Sequence, residues 1–432
     1  MHMKTHVLEE LYPVDFREED AKKLGSLLKN RRSVVLVGMK RVGISNFLRF
    51  FLNHQGISKL YLGEENHIFI TVDLNDLVER EVFPFWILTF KRISDFVSEN
   101  VQDEEIKKKI SQLFLDSIQS QDLFLTIDGI RKSIAYLSDN GYKPTIFFNR
   151  FDRIIDAATH AFFANFQGLI DATDRNLSFV FTSVRPLDTL SSEVFTKHDL
   201  SVFADTLYMQ PAKEKDVETI YNITAKEYNI SLPELEEKKL LTLVDGYNQY
   251  LQFALITLKE LATEPNSSQI LEVLLNDERI MLSSEELWES LSTIEQKVLL
   301  KILQQENISP EDLEKGEYLF KTGLVTENNA LFSPLFEHFL KERLTTKKKD
   351  APALELSKKE HTLLSFLENR KNDICEREEI IEAVWPEAES LGVSDWAIDR
   401  LVARLRHKLK NQNSTDEIVT VKTRGYKLID SQ

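Results

Sequence analysis

The sequence runs to 432 residues, with 42% hydrophobic and 29% charged side chains and a formal net charge of −16. Such a length exceeds one ordinary core and, at roughly 150 residues per domain, predicts about three domains; the composition excludes a disordered or fibrous chain. The negative balance excludes a protein that coats nucleic acid through bulk charge, so any DNA contact must be local. No apolar run approaches the roughly 18 to 20 residues of a membrane helix, and the first residues lack a basic-then-apolar signal pattern. A cytoplasmic protein with no membrane partner is expected. The lone Cys375 has no partner for an internal disulfide and is read as packing.

Taken in chain order, SVVLV (33–37) reads as a buried strand entering the loop GMKRVG, followed by a helix over SNFLRFFLNH. Similar apolar runs recur as IFITVDL (68–74), PTIFFN (144–149) and LSFVFTS (177–183), separated by segments long enough for helices. That alternation predicts a doubly wound parallel α/β sheet over 1–205. Residues 206–280 are helical in pattern and read as a lid. Residues 281–345 carry a helix (TIEQKVLLKIL), an acidic helix (SPEDLEKGEYLFKT), a hairpin turning at Asn328 and Asn329, and a last helix, an order that predicts an inner winged helix. The polar stretch 346–353 is the linker candidate.

In 354–432, Ser357 and Glu360 form a capping box ahead of a helix whose apolar face is Leu363, Leu364, Phe366 and Leu367. A second helix, EREEIIEAVW, stops at Pro386, and a third runs from Ser394 to about Lys410. In the third, Ile398, Leu401, Val402, Leu405 and Leu409 follow helical spacing and are expected in the core. Trp396, Ala397, Arg400, Arg404, His407 and Lys408 then make a cationic surface on a helix of major-groove width. EIVTVKTRGYKLI gives two strands with Arg424 at their turn, placed to enter a minor groove. Residues 394–428 hold eight basic and four acidic side chains, so positive charge is confined to this helix and hairpin. The alternative is a small helical domain whose charged stripe is solvated surface.

Val384-Trp385, RLRHKL (404–409) and TVKTRGYKL (420–428) closely resemble the pattern of the OmpR/PhoB-type winged helix, with Thr423 where that family usually has Gly. The resemblance implies that Trp396, Ala397, Arg400 and Arg404 face bases or phosphates, and that Lys408, Thr423, Arg424 and Tyr426 hold the DNA backbone. Arg406 lies near the core face and is read either as another contact or as one half of an internal ion pair.

The loop Gly38–Ser45 keeps most of the phosphate-binding pattern Gly-x4-Gly-Lys-Ser/Thr between a strand and a helix. Ile44 occupies the lysine position, and losing that charge-assisted hydrogen bond costs roughly 1.5–3 kcal/mol of binding. Lys40 and Arg41 are candidates to restore the charge and Ser45 to meet Mg²⁺. At the end of TIFFNRFDRI, where an Asp for Mg²⁺ and a Glu for water are due, stand Asn149 and Arg150, with Asp152 beyond. Arg185, after the next strand, is either a phosphate reader or a surface arginine. The candidate nucleotide residues are thus Gly38, Lys40, Arg41, Gly43, Ser45, Asn46, Asn149, Asp152 and Arg185. Their alternative is a vestigial glycine turn that binds nothing.

GMKRVGISNFL, FFNRFDRI, FTSVRPL, DGYNQYLQFAL and LWESLSTIEQKVLLKIL with SPLFEHFLKE resemble, in order and spacing, the STAND branch of AAA+ ATPases, relatives of the origin-recognition ATPases. The resemblance implies a nucleotide fold, lid and inner winged helix that open and close on ligand. ATP or ADP with Mg²⁺ is the implied ligand, weakened by Ile44 and Asn149. The expectation is a non-enzymatic, sequence-specific transcription regulator, a pseudo-ATPase body controlling a DNA reader. Its expected partners are double-stranded DNA, a second copy on DNA and a protein effector. An ATP-dependent DNA-remodelling or replication-initiation factor and a signalling or defence scaffold are the competing expectations.

Overall fold

The computed structural model describes residues 8–63, 66–196, 203–261, 267–346, 356, 358–385, 395–411, 416–421 and 424–430. The chain divides into two compact units, Met1–His338 and Phe339–Gln432. Among the described residues no helix is long and apolar enough to cross a membrane. All but the first residue of the expected linker, 346–353, lies outside the described residues.

The first unit opens with α1 (Glu18–Lys29), β1 (Ser33–Gly38) and α2 (Ile44–Asn53). Then come β2 (His67–Asp73), three helices α3 (Val82–Asn100), α4 (Glu104–Ser120) and α5 (Leu123–Asp139), β3 (Lys143–Asn149), α6 (His160–Asp171), β4 (Ser178–Ser183) and β5 (Ala204–Met209). The strands form one parallel sheet in the order β2-β3-β4-β1-β5. β1 and β4 are buried at every residue, as continuous Val/Leu/Phe runs in a sheet covered on both faces require. The edge strand β5, absent from the expectation, is buried only at its two end residues and gives no such run.

Much of the phenylalanine content is spent on one side of this sheet. Phe148 stacks on Phe181 at 5.6 Å between ring centroids, and Phe85, Phe162 and Phe166 close around them. Aromatic pairs at such separations add about 0.5–1.5 kcal/mol each beyond the area they bury. The cluster packs against β3 and β4, the strands that lead to Asn149 and Arg185.

After the sheet come α7 (Glu214–Tyr228), α8 (Glu234–Val244), α9 (Asn248–Glu260), α10 (Ser267–Leu275) and α11 (Glu278–Glu289). α12 (Thr293–Leu303) starts on a reciprocal capping box between Ser292 and Glu295. The acidic stretch expected as one helix is two, α13 (Pro310–Lys315) and α14 (Glu317–Lys321), parted at Gly316. The expected hairpin is a single bridge, Val325 to Leu331, around Asn329 with φ 55°, and α15 (Pro334–Thr346) follows.

The second unit contains α16 (Lys358–Glu368), β6 (Cys375–Glu376), α17 (Arg377–Val384), α18 (Asp395–Asn411), β7 (Asp416–Val421) and β8 (Gly425–Asp430). Its antiparallel sheet has the order β6-β8-β7. The five apolar positions expected in the core from α18 are 0–6% exposed and pack with Leu363, Leu367, Trp385 and Leu428. Cys375 is buried in the same cluster. The two-residue strand β6 was not legible in the sequence. It fits because Gly425 opposite it has no side chain: a Cβ there would lie 2.0 Å from the Cys375 carbonyl oxygen.

Candidate nucleic-acid interface and phosphate loop

In the second unit, α18 carries the reader and the β7–β8 turn carries the wing. Arg424 is 60% exposed at that turn, with Nη2 3.8 Å from Glu376 Oε1, and its backbone N–H donates to Val421 O at 3.1 Å. Arg400 shares with exposed Ala403 the side of α18 turned from the core residues. The side chains of Trp396, Ala397 and His407, and all of Thr423, Pro386, Ser394 and Ser357, lie outside the described residues.

Lys408 departs from its expected role. Its ammonium is 2.5 Å from Glu360 Oε2, and the two side chains are 14% and 1% exposed. Position 408 follows Leu401 and Leu405 at helical spacing, so it flanks the buried stripe and points to α16. Arg404 lies 3.8 Å from the other Glu360 oxygen and is 20% exposed, so the same carboxylate draws it inward.

Tyr426 is also internal. It alternates with the wing residues on the core face of β8, is 3% exposed, and donates its hydroxyl to the Asp399 carboxylate while Arg377 donates to the hydroxyl at 3.3 Å. Burial and then the Asp399 carboxylate push its ionisation up to about 12. Among the described residues Arg406 makes backbone and hydroxyl bonds in place of an ion pair: Nε donates to Ile418 O at 2.6 Å and Nη2 to Thr420 Oγ1 at 2.7 Å. These bonds tie α18 to the wing strand β7.

The phosphate loop of the first unit leaves β1 at Gly38 and enters α2 through Gly43, whose φ of 110° suits glycine. Ser45 is exposed in the first turn of α2, whereas the Ile44 side chain folds back so that Cδ1 lies 3.1 Å from where a Cβ on Gly38 would be. Lys40 Nζ is 2.9 Å from Glu286 Oε1 and Arg41 Nε is 3.5 Å from Oε2; this carboxylate, on α11, is 5% exposed. Tyr247 donates its hydroxyl to Lys40 O at 2.6 Å. Asn46, expected to face nucleotide, instead donates to Glu9 Oε1 and Tyr12 Oη, both at 3.0 Å, because it lies on the buried side of α2.

Across the sheet edge, Asn149 ends β3 opposite Asp73 of β2, and its amide oxygen is buried without a hydrogen-bond partner. Arg150 points away to the Asp73 carboxylate, while its backbone N–H donates to Thr182 Oγ1 at 2.8 Å. Burial pushes the Asp152 carboxyl up, against its own backbone hydrogen bond and the charges of Lys40, Arg153 and Arg150.

Arg185 is neither a surface arginine nor turned to the loop. It grips Glu295 with two bonds of 2.7 and 2.8 Å, donates to Ser290 O, and lies 3.9 Å over the Tyr318 ring. Tyr318 in turn donates to Val184 O at 2.8 Å. Sequence reasoning missed Glu286, Glu295 and Tyr318. Only Glu295 left a signal, as the fourth residue of Ser292-Thr293-Ile294-Glu295.

Residues 350–428 match the family model described as "Transcriptional regulatory protein, C terminal". The C-terminal unit holds an OmpR/PhoB-type winged helix. A 70-residue stretch is 39% identical to the uncharacterized transcriptional regulatory protein YvcP of Bacillus subtilis, covering 16% of this chain and 29% of that protein. The chain therefore spans less than a third of that relative's length. Among solved structures, a Walker-type ATPase of Pyrococcus abyssi superposes with a TM-score of 0.50 at 18% identity, over 77% of this chain and 99% of that one. The Aeropyrum pernix ORC2 protein matches at a TM-score of 0.48 and 12% identity, over 80% of this chain and 98% of that one. The parallel five-stranded body thus shares the fold of that Walker-type ATPase.

Proposed function

We propose that this protein is a sequence-specific DNA-binding transcription regulator whose AAA+-like body controls the C-terminal winged helix without hydrolysing nucleotide. The observation that carries the reading is the pairing of a transcriptional-regulator domain with a phosphate loop whose cations face a buried carboxylate of their own chain. A hydrolysed Mg²⁺-nucleotide needs a lysine in the loop and carboxylates at the strand end. Here Ile44 and Asn149 stand at those places, Arg150 is turned to Asp73, and Asn46 is turned to Glu9. These residues do not fit that group, and no catalytic step is assigned to them.

In the winged helix, Arg400 and Arg424 are the base and backbone contacts best supported by position. Tandem pairing on DNA and a protein effector acting on the body belong to the same reading. Footprinting on the DNA upstream of its own gene tests it. Discrete protected sites are expected, and uniform weak binding with no protected site sinks it.

The exposed Ser45 in the first turn of α2 and the body's likeness to a Walker-type ATPase favour a second reading, an ATP-dependent DNA-remodelling or initiation factor. ATP turnover abolished by Ser45→Ala supports that reading; no turnover at high protein concentration excludes it.

A further inference from the structure

Helix α11 delivers a carboxylate to the phosphate loop from about 245 residues further along the chain. Glu286 is 5% exposed and bridges the loop's two cations, at 2.9 Å from Lys40 Nζ and 3.5 Å from Arg41 Nε. Its neighbours close the same surface. Tyr247 binds the Lys40 carbonyl, and the Asn248 Cβ lies 3.3 Å from where a Cβ on Gly43 would be. A carboxylate here offers the loop what a phosphate oxygen would offer it, negative charge on two acceptor atoms.

We propose that Glu286 is an internal anion that occupies the phosphate loop and latches α11 to it, so that a ligand carrying phosphate groups binds only by displacing Glu286. The inference rests on the reading of the body as a controlling element, and it names how that control works. An incoming phosphate meets the negative charge of Glu286 and competes with it for Lys40 and Arg41. Anion binding and release of α11 are therefore one equilibrium, and each opposes the other by the same factor. Release has somewhere to go: the residue just past α11, Ser290, gives its carbonyl to Arg185, and Glu295 on α12 takes the same guanidinium. Freeing α11 thus loads the contact that joins β4 to α12.

The test uses the full chain without DNA, with pyrophosphate as probe. Affinity is measured by calorimetry, and hydrogen exchange is followed over residues 278–289. Glu286→Gln is expected to bind pyrophosphate at least tenfold more tightly than the parent protein. Saturating pyrophosphate is expected to speed exchange in 278–289 of the parent by a similar factor. Affinities within twofold of each other, an absence of binding in both proteins at millimolar probe, or binding that leaves that exchange unchanged overturns the proposal. Should Glu286→Gln fail to fold, Lys40→Gln decides: it is expected to speed exchange in 278–289 without ligand, and unchanged exchange overturns the latch. Footprinting of the unmodified protein decides the regulator reading separately, so the two failures are distinguishable.

Discussion

Replacing Lys408 by alanine separates a structural lysine from a DNA-contacting one. In the structure the Lys408 ammonium is 2.5 Å from Glu360, and that carboxylate is 1% exposed. Breaking a buried pair by removing one partner costs about 3–5 kcal/mol, because an uncompensated charge stays behind. Arg404 remains 3.8 Å from the second oxygen and recovers part of that loss, which places the expectation near the lower end, at about 3 kcal/mol. At about 1.4 kcal/mol per decade, protection of α18 amides against hydrogen exchange should fall roughly a hundredfold where α18 opens with the whole unit. The assay is exchange over 395–411 in the full chain, alongside DNA titrations at several salt concentrations. A phosphate contact behaves otherwise: affinity drops uniformly across sequences, the salt slope falls by about one, and stability stays within about 0.5 kcal/mol of the parent. That second pattern would refute the assignment of Lys408 to Glu360.

Arg400→Ala should relax base preference by about 1–3 kcal/mol in a binding-site selection, whereas exposed Arg424→Ala should lower affinity for all sequences and reduce the salt slope by about one, with thermal stability unchanged. Glu295 is 7% exposed beside Arg185, and among the described residues Arg185→Ala leaves its carboxylate the Ser292 N–H at 2.8 Å, so α12 should lose about 3 kcal/mol of local stability by hydrogen exchange. A double-mutant cycle with Glu295→Gln should show coupling, and additive losses would contradict the Arg185–Glu295 pairing. Burial holds the Asp152 carboxyl above its ordinary value, so the ionised form is penalised in full above that raised value, and the penalty is relieved as pH falls through it. Asp152→Asn should therefore melt higher than the parent at neutral pH and lose that advantage in the acid range. A gap independent of pH would contradict it.

The sheet and the reader were legible for the same reason. Short, largely apolar runs such as SVVLV and SFVF suit a strand covered on both faces, and the stripe Ile398, Leu401, Val402, Leu405 and Leu409 suits one side of a helix. Both patterns are local. β5 and β6 were not legible, because an edge strand with half-exposed residues and a two-residue strand carry no period to detect. Within α18, spacing separated Arg400 from the core but misplaced Lys408, which lies at the flank of the stripe where a long side chain reaches either way. What decides its direction is Glu360, 48 residues earlier.

One arrangement recurs among the cations singled out in the sequence. Lys40 and Arg41 meet Glu286, Arg185 meets Glu295, and Lys408 with Arg404 meets Glu360, each carboxylate between 1% and 7% exposed. A motif reports where a cation stands but not which carboxylate the fold brings to it, and in a chain with 70 acidic against 54 basic residues such carboxylates are plentiful. The consequence for DNA binding is quantitative. Each phosphate neutralised contributes about 0.9 to the salt slope, and withdrawing Lys408, together with Arg404 to the extent that Glu360 holds it, lowers the slope by about one to two per copy. Under the proposed function, a reader with so small an electrostatic footprint would depend on base contacts, and on pairing of copies where it pairs, for its affinity. Under the same proposed function, a body that alters how readers are presented would then act directly on occupancy.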